Sequence, residues 1–318
     1  MPAPAFSLSR RDFLMTTSLA AAGTFAGCVT GDGLAGGIID THTHFYNPTR
    51  PQGVPWPPQG EPTLYRPILP AEYIAMTRPL GVTGTVIVEA SAWVEDNHWV
   101  LDLAENKPFI VGFVGHLTPG DPEFPAQLKR FARNRLFRGI RIGGEIMQKA
   151  LQDPATLDDV RRLADHNLAL DILLSPDQLP DVEPFAAKVP SLRIIIDHVA
   201  NVPITPPPHP NRWVSGLAGC HYSPNVVMKV SGLVEGSGKR GGQAPRDLEF
   251  YRPVLDAVWH IFGEDRLLYA SNWPVSALFA DYATVQRLAV EYFTAKGPRT
   301  VGKVFRTNAA HVYRTVHR

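Results

Sequence analysis

Cysteine is scarce in this sequence, with Cys28 and Cys220 the two among 318 residues. Two thiols form at most one disulfide, so a small disulfide-stabilised scaffold is excluded. The formal net charge is +1, and the chain has neither a run of basic residues nor interleaved aromatic and basic side chains, which argues against a nucleic-acid partner. The composition, 44% hydrophobic and 19% charged, instead fits a globular protein of one large domain or two small ones.

The sequence also lacks a long apolar run. Its moderately apolar segment, residues 13–27, is too short and too weak for a membrane-spanning helix. It follows Ser9-Arg10-Arg11-Asp12-Phe13-Leu14, which resembles the twin-arginine export signal of bacteria. We therefore expect residues 1–35 to be a signal peptide and spacer, and residues 36–318 to be the domain. The expected location is the periplasm, with the twin-arginine translocase as the partner during export.

The end of the signal leaves two alternatives open. Phe25-Ala26-Gly27-Cys28 resembles a lipobox, with Phe where Leu is usual. Cys28 would then carry a lipid anchor and tether the protein to a membrane as a lipoprotein. The alternative is ordinary cleavage near the Ala and Gly residues of the same segment. A structural disulfide between Cys28 and Cys220 is not expected in either case.

Eight short apolar runs rich in β-branched residues recur after the spacer. They are nearly continuous rather than alternating, which is typical of parallel strands buried on both faces. The runs are Ile38–His42, Thr85–Ala90, Ile110–Leu117, Arg138–Ile142, Leu168–Leu174, Leu192–Val199, Val226–Ser231 and Leu267–Asn272.

Helical patterns separate these runs. Asp153 is a candidate N-cap before Pro154, Gly263 is a candidate C-cap, and Arg299–Arg314 is predicted to be a final helix. Strands alternating with helices predict an α/β fold, a distorted (β/α)8 TIM barrel with a long Pro-rich loop after strand one, residues 45–70. A doubly wound open sheet is the alternative, but no Gly-rich phosphate loop follows the first strand.

Two histidines one residue apart end the first run. Strand side chains alternate between faces, so His42 and His44 are expected to project together from the carboxyl end of strand one. In a barrel that end is the mouth at which such folds carry out their chemistry. The pair alone is equally compatible with a surface without function.

Polar residues also end the other strands, and this convergence is more informative than any single one of them. Arg138 and Arg141 differ in strand parity, and we expect Arg141 to face inward. Asp197 is expected to point away from His198 for the same reason. The candidates from strand ends, together with Trp56 of the Pro-rich loop, are His42, His44, Glu89, His116, Arg141, His198, Lys229 and Asn272.

Several segments occur in an informative order along almost the whole domain. They are Ile39–His44, Gly81-Val82, Val86–Ala90, Phe137–Arg141, Ile194–His198, Met228–Leu233, Ala270–Pro274 and Asn308–Tyr313. Together they resemble the amidohydrolase superfamily, in its metal-optional branch of fuconolactonase-like and 2-pyrone-4,6-dicarboxylate lactonase-like enzymes.

The resemblance implies a hydrolase that opens a lactone or similar cyclic ester of a sugar acid or aromatic catabolite, with a small-molecule substrate. It implies catalytic roles for His42, His44, His198 and Asn272. Substrate binding is expected from Arg141, Glu89, Trp56, His116 and Lys229. No metal is expected; if one zinc ion were bound, its ligands would be His42, His44 and His198.

One departure from the family pattern matters. Relatives end strand eight with Ser-Asp-Trp-Pro, and the Asp serves as general base or metal ligand, whereas this chain has Ser271-Asn272-Trp273-Pro274. An amide cannot accept a proton at working pH, and it is a poor zinc ligand. A lactone isomerase that needs no activated water and a non-catalytic binder of small acids therefore stay open as alternatives. The resemblance also leaves open a metal-dependent decarboxylase or hydratase of aromatic acids, although such relatives generally rely on a metal and on the strand-eight Asp. The oligomeric state is left open as well.

Overall fold

Eight parallel strands follow one another around a single sheet in the computed structural model, which describes residues 34–316. Each predicted strand is present, three of them longer and five shorter than predicted. The strands are β1 Ile38–Thr43, β2 Val82–Val88, β3 Ile110–Gly115, β4 Phe137–Gly143, β5 Ala169–Leu173, β6 Arg193–Ile196, β7 Val226–Val230 and β8 Leu267–Tyr269. A parallel bridge between Thr43 and Trp273 brings β1 beside the segment that follows β8. The predicted (β/α)8 barrel is therefore confirmed.

Helices lie between the strands and follow the last one. They are α1 Pro70–Thr77, α2 Asp96–Ala104, α3 Phe124–Phe131, α4 Gly144–Gln152, α5 Pro154–Asp165, α6 Val182–Lys188, α7 Asn211–Cys220, α8 Leu233–Gly236, α9 Leu248–Phe262, α10 Tyr282–Thr294, α11 Pro298–Gly302 and α12 Asn308–Tyr313. Across residues 34–316, none of the helices is both long and apolar enough to cross a membrane. The predicted signal segment and Cys28 lie outside the described residues.

Local sequence signals set several of these helix ends. The Asp153 carboxylate accepts hydrogen bonds from the backbone N–H groups of Ala155 and Thr156 at the start of α5. Gly263 ends α9 as predicted. The predicted final helix over 299–314 is present as an unbroken helical stretch from Pro298 to Tyr313, in which a π-helical turn, Lys303–Thr307, divides α11 from α12.

The C-terminal helix closes the barrel at the amino end of the strands. Apolar residues of the strands form a cluster with Ala309, Val312 and Tyr313 of α12. Arg193 at the start of β6 donates to the carbonyl of Val312, and Asn308 donates to the carbonyl of Leu267 at the start of β8. The side chains at the carboxyl ends of the strands therefore lie at the opposite end of the barrel, at its mouth.

The predicted Pro-rich loop connects β1 to α1 and is held over the mouth. Tyr46 pairs with Ile68 in an antiparallel bridge across its base. Arg50 makes two hydrogen bonds to the carboxylate of Asp96 on α2, at 3.0 and 2.9 Å, and both side chains are mostly buried. A bidentate, desolvated pair of this kind fixes geometry as well as charge, so Trp56 is carried on a loop anchored at several points.

Candidate active site

Three imidazoles meet at the mouth of the barrel. The ring centroids of His42 and His44 are 4.9 Å apart, and those of His42 and His198 are 4.3 Å apart. Each of the three residues is at most 5% exposed. The ring of Trp56 lies 5.9 Å from that of His44 and forms the loop side of the cluster.

A register irregularity in β1 lets its histidines face the barrel interior. Asp40 accepts hydrogen bonds from Tyr73 of α1 and Tyr282 of α10, so it faces the helical layer. Strict alternation would place His42 on the same face as Asp40. The pairing of β1 with β2 shifts between Asp40 and Thr43, and His42 faces the interior instead.

The end of β6 corrects the prediction for Asp197. Asp197 shares the parity of Ile195, which faces the barrel interior, and its Oδ1 lies 3.3 Å from His42 Nδ1. His198 reaches the same site because residues 198–201 all take positive φ values, from 45° to 61°. A Cβ on Gly232 would lie 2.6 Å from the Cβ of His198, so this turn requires glycine there. Both residues therefore enter the site.

A buried ammonium group lies under His42. Lys229 Nζ is 3.0 Å from His42 Nδ1, 3.0 Å from Asp197 Oδ1 and 2.5 Å from Asp171 Oδ2, and its side chain is fully buried. The hydroxyl of Tyr313 donates to Asp171. The sequence prediction places Lys229 at the substrate, whereas the structure places it among protein groups. Its position is that of a support for His42.

Burial sets the protonation of the site. It lowers the pKa of His44 to about 3, with Arg141 contributing, and that of His198 to about 4 against the opposing charge of Asp197. Burial and the Lys229 ammonium hold the pKa of His42 well below its usual range. Although burial opposes it, the Lys229 charge keeps the pKa of Asp197 well below normal. The imidazoles are therefore neutral at neutral pH.

Hydrogen bonds select the tautomers of the two β1 histidines. His44 Nδ1 lies 2.9 Å from the carbonyl oxygen of Val88, so Nδ1 carries the proton and Nε2 accepts. Lys229 Nζ can only donate and lies 3.0 Å from His42 Nδ1, closer than Asp197 Oδ1 at 3.3 Å, so we assign the proton of neutral His42 to Nε2. His42 Nε2 is buried and has no partner among the described residues. It is thus a free donor inside the site.

Arg141 and Glu89 form the edge of the site opposite Lys229. Arg141 Nε donates to Glu89 Oε1 at 2.8 Å and its Nη2 donates to the Glu89 carbonyl at 2.9 Å. The guanidinium is close enough to contribute to the lowered pKa values of His44 and His198. His116 lies at the rim, where its backbone is held by the Asn97 side chain. Arg138 is half-buried at the start of β4, away from this edge.

Asn272 follows β8 and contacts a carboxylate that the sequence analysis missed. Its Nδ2 donates to Glu235 Oε1 at 2.9 Å, from α8 after β7. Glu235 Oε2 is buried and lacks a partner among residues 34–316. Burial raises the pKa of Glu235 to about 7. A titratable carboxyl group is therefore present beside the Asn272 amide.

The donors also permit one metal ion. Ligand atoms of His42, Asp197 and His198 lie within 4.8 Å of one another. Two imidazoles and a carboxylate are donors that zinc prefers, and three protein ligands with an open position are typical of catalytic zinc. Nε2 of His42 has no partner among the described residues, and it would bind a metal only after its proton had moved to Nδ1, beside Asp197. This set contains Asp197 where the predicted one has His44, although the Nδ1 bond of His44 to the Val88 carbonyl leaves its Nε2 lone pair free as well.

Comparison with known proteins assigns the family. A family model described as Amidohydrolase matches residues 39–315. The chain belongs to this amidohydrolase family. The match covers the barrel from β1 to the end of α12, so it includes each strand-end residue discussed above.

Two curated relatives of this amidohydrolase are named L-fucono-1,5-lactonase. That of Burkholderia ambifaria is 34% identical over 289 residues, which are 87% of this chain and 95% of the relative. That of Burkholderia multivorans is 30% identical over 267 residues, 79% of this chain and 86% of the relative. A crystal structure of an amidohydrolase from Burkholderia multivorans with bound zinc has a TM-score of 0.79 at 26% identity, and covers 88% of this chain and 99% of that one.

Proposed function

We propose that this amidohydrolase opens a lactone or similar cyclic ester of a sugar acid or aromatic catabolite by hydrolysis. The names of its curated relatives support a sugar-acid lactone. The observation that carries the proposal is the buried Nε2 of His42, which has no partner among residues 34–316 and lies in the site shared with His44, His198 and Arg141. Such a donor suits a carbonyl oxygen that becomes an oxyanion.

Binding would use the edge of the site opposite Lys229. Arg141 offers a planar guanidinium for a carboxylate or ring oxygen of the substrate. His44 Nε2 accepts a hydrogen bond, which suits a substrate hydroxyl group. Trp56 offers an apolar ring face against the sugar or aromatic ring, and Glu89 and His116 would complete the rim. These residues orient the ester so that its carbonyl oxygen lies against His42 Nε2.

We propose that the reaction does not depend on a metal. A zinc ion held by His42, Asp197 and His198 would supply Lewis-acid polarisation and a more acidic bound water. The Lys229 ammonium, however, already lies 3.0 Å from two of these ligand residues. A dication bound there would meet a like charge in a desolvated site. The neutral donors and the ammonium supply positive potential without it.

Chelation tests this point. We expect kcat and KM to stay within about twofold after dialysis against a chelator, because His42 and Lys229 supply the electrostatic stabilisation. Elemental analysis of the same sample checks that metal was removed, and readdition of zinc is the control. Loss of activity that zinc restores in a stoichiometric amount would contradict the metal-independent reaction.

A substrate panel tests the function itself. Purified protein is incubated with L-fucono-1,5-lactone, other sugar lactones, 2-pyrone-4,6-dicarboxylate and hydroxybenzoates in ¹⁸O-labelled water. Ring opening with one labelled oxygen in the new carboxylate is expected. Acyl migration without label would indicate a lactone isomerase, and carbon dioxide release would indicate a decarboxylase. Binding without any turnover would leave a small-acid binder.

We also propose that the enzyme works in the periplasm. The support is the twin-arginine segment of the sequence, Ser9–Leu14, and the lipobox-like segment that ends at Cys28. Replacing Arg10 and Arg11 together by lysine is expected to retain the protein in the cytoplasm, since the export machinery reads the arginine pair. Cell fractionation with activity assays measures this, and C28S tests the lipid anchor by release from the membrane fraction. Unchanged periplasmic activity of the double variant would contradict export by this route.

A further inference from the structure

We propose that Glu235 is the catalytic base that takes the proton of the attacking water, with Asn272 as its partner, in place of a carboxylate at the end of β8. The inference rests on the proposed lactone hydrolysis and names the group that this hydrolysis otherwise lacks. It follows from the side-chain pair that joins α8 to the end of β8.

Asn272 and Glu235 would together hold and activate the attacking water. Asn272 is 6% exposed and takes a left-handed backbone conformation, with φ 57°, at the end of β8. Its amide N–H donates to Glu235 Oε1 at 2.9 Å. The amide oxygen of Asn272 is thereby left to accept a hydrogen bond from a water, and Glu235 Oε2 is buried without a partner among residues 34–316. A water between these two acceptors would direct both protons to the protein and its lone pair outward.

The position of α8 places this pair at the site. Its N-cap Gly232 approaches the Cβ of His198 so closely that no side chain fits there. The helix packs against the turn of residues 198–201 on one side and against the turn Val275–Leu278 on the other. Glu235 therefore lies between the two strand ends that carry His198 and Asn272.

The chemistry balances without any further reagent. The water oxygen forms a bond to the lactone carbonyl carbon while one water proton passes to the Glu235 carboxylate. The carbonyl π electrons move to the oxygen, which His42 Nε2–H stabilises. The oxyanion then collapses, the bond from the carbonyl carbon to the ring oxygen breaks, and Glu235 returns the proton to the leaving alkoxide. The product is the open hydroxy acid.

The surroundings of Glu235 suit a group that exchanges protons near neutrality. Burial raises its pKa to about 7, while the Asn272 amide and a backbone N–H act in the opposite direction. Among the elements packed around it, the titratable groups are His198 on the 198–201 turn and Tyr251 on α9, whose pKa Glu235 raises further. The base form is the carboxylate, so activity should rise with pH up to about 7 and level off above it.

The experiment compares kcat–pH profiles of the full chain and its variants on the lactone that wild type opens fastest. E235Q keeps the shape of the side chain but cannot accept the proton. We expect kcat to fall about 10²–10⁴-fold, as for loss of a general base. We also expect the acidic limb of the kcat–pH profile, the rise in kcat up to about pH 7, to disappear. E249Q, on the exposed start of α9, is the matched control and is expected to keep the wild-type profile.

A swapped pair and chemical rescue separate catalysis from support. E235Q/N272D moves the carboxylate to the end of β8 and is expected to regain at least tenfold in kcat over E235Q, with an acidic limb restored. E235A is expected to be rescued by added formate, which a merely structural role would not permit. Thermal unfolding of each variant accompanies the kinetics.

The outcomes are distinguishable. An active wild type whose E235Q variant stays within threefold, or loses rate while keeping the limb near pH 7, overturns the role of Glu235 and leaves lactone hydrolysis standing. A wild type that opens no lactone of the panel at any pH overturns both. Loss of the limb in E235Q together with rescue by the swap or by formate supports the proposal.

Discussion

Replacing Lys229 by methionine is expected to lower the free energy of unfolding by about 3–5 kcal/mol, the usual cost of removing one partner from a buried ion pair. The ammonium lies between two carboxylates, Asp171 and Asp197, and all three side chains are fully buried. Methionine has a similar length and leaves no large cavity, so the loss comes from charge. Two desolvated carboxylates would then face each other without a cation.

Urea denaturation followed by tryptophan fluorescence measures this loss. The double variant K229M/D171N is the control, because it removes one of the two stranded charges and should be less destabilised than K229M. His42 Nδ1 loses its donor in both variants, so the difference between them reflects the charge of Asp171 alone. A free energy of unfolding for K229M within 1 kcal/mol of wild type would mean that the ammonium does not stabilise these carboxylates.

Truncating His42 to alanine is expected to lower kcat by about 10²–10³-fold with a smaller change in KM, the usual effect of losing one oxyanion donor. The reason is that His42 Nε2 is buried, has no partner in the described part of the chain and carries the proton when Lys229 donates to Nδ1. A donor of this kind acts mainly as negative charge develops on the carbonyl oxygen. Steady-state kinetics on the lactone of the panel measures the effect.

A second substitution at the same position sharpens the test. H42Q places an amide N–H near the position of Nε2 and is expected to keep more activity than H42A. H221A, at the end of α7 and exposed, serves as a control for loss of a histidine elsewhere. A rise in KM with unchanged kcat in H42A would indicate that His42 binds the ground state and does not stabilise the oxyanion.

The strand ends could be predicted because they depend on local apolar runs. Each of the eight runs became a strand, and His42, His44, His198 and Arg141 lie together as the barrel geometry requires. Alternation failed where the backbone left the extended conformation. Asp197 follows the parity of β6, whereas His198 enters through a left-handed turn that a sequence of Asp-His-Val-Ala-Asn does not announce. The register shift between Asp40 and Thr43 in β1 likewise has no signal in the sequence.

Asp171 and Glu235 were missed for different reasons. Asp171 lies in the middle of an apolar strand. Its role depends on contacts with Lys229 and Tyr313, which are distant in sequence. Glu235 follows β7 in a Gly-rich segment that reads as a loop, although a carboxylate shortly after a barrel strand is a usable signal. Its link to Asn272 exists only after β7 and β8 pair. Long-range contacts, not local propensity, complete the site.

The line of contacts from Tyr313 through Asp171 and Lys229 to His42 ties the far end of the barrel to its mouth. Tyr313 belongs to α12, which follows all eight strands in the chain. Until this helix docks, Lys229 and Asp171 lie at a barrel floor that is open to water, and neither charge has its final surroundings. Competence for turnover is therefore acquired only after α12 has been made and has closed the floor.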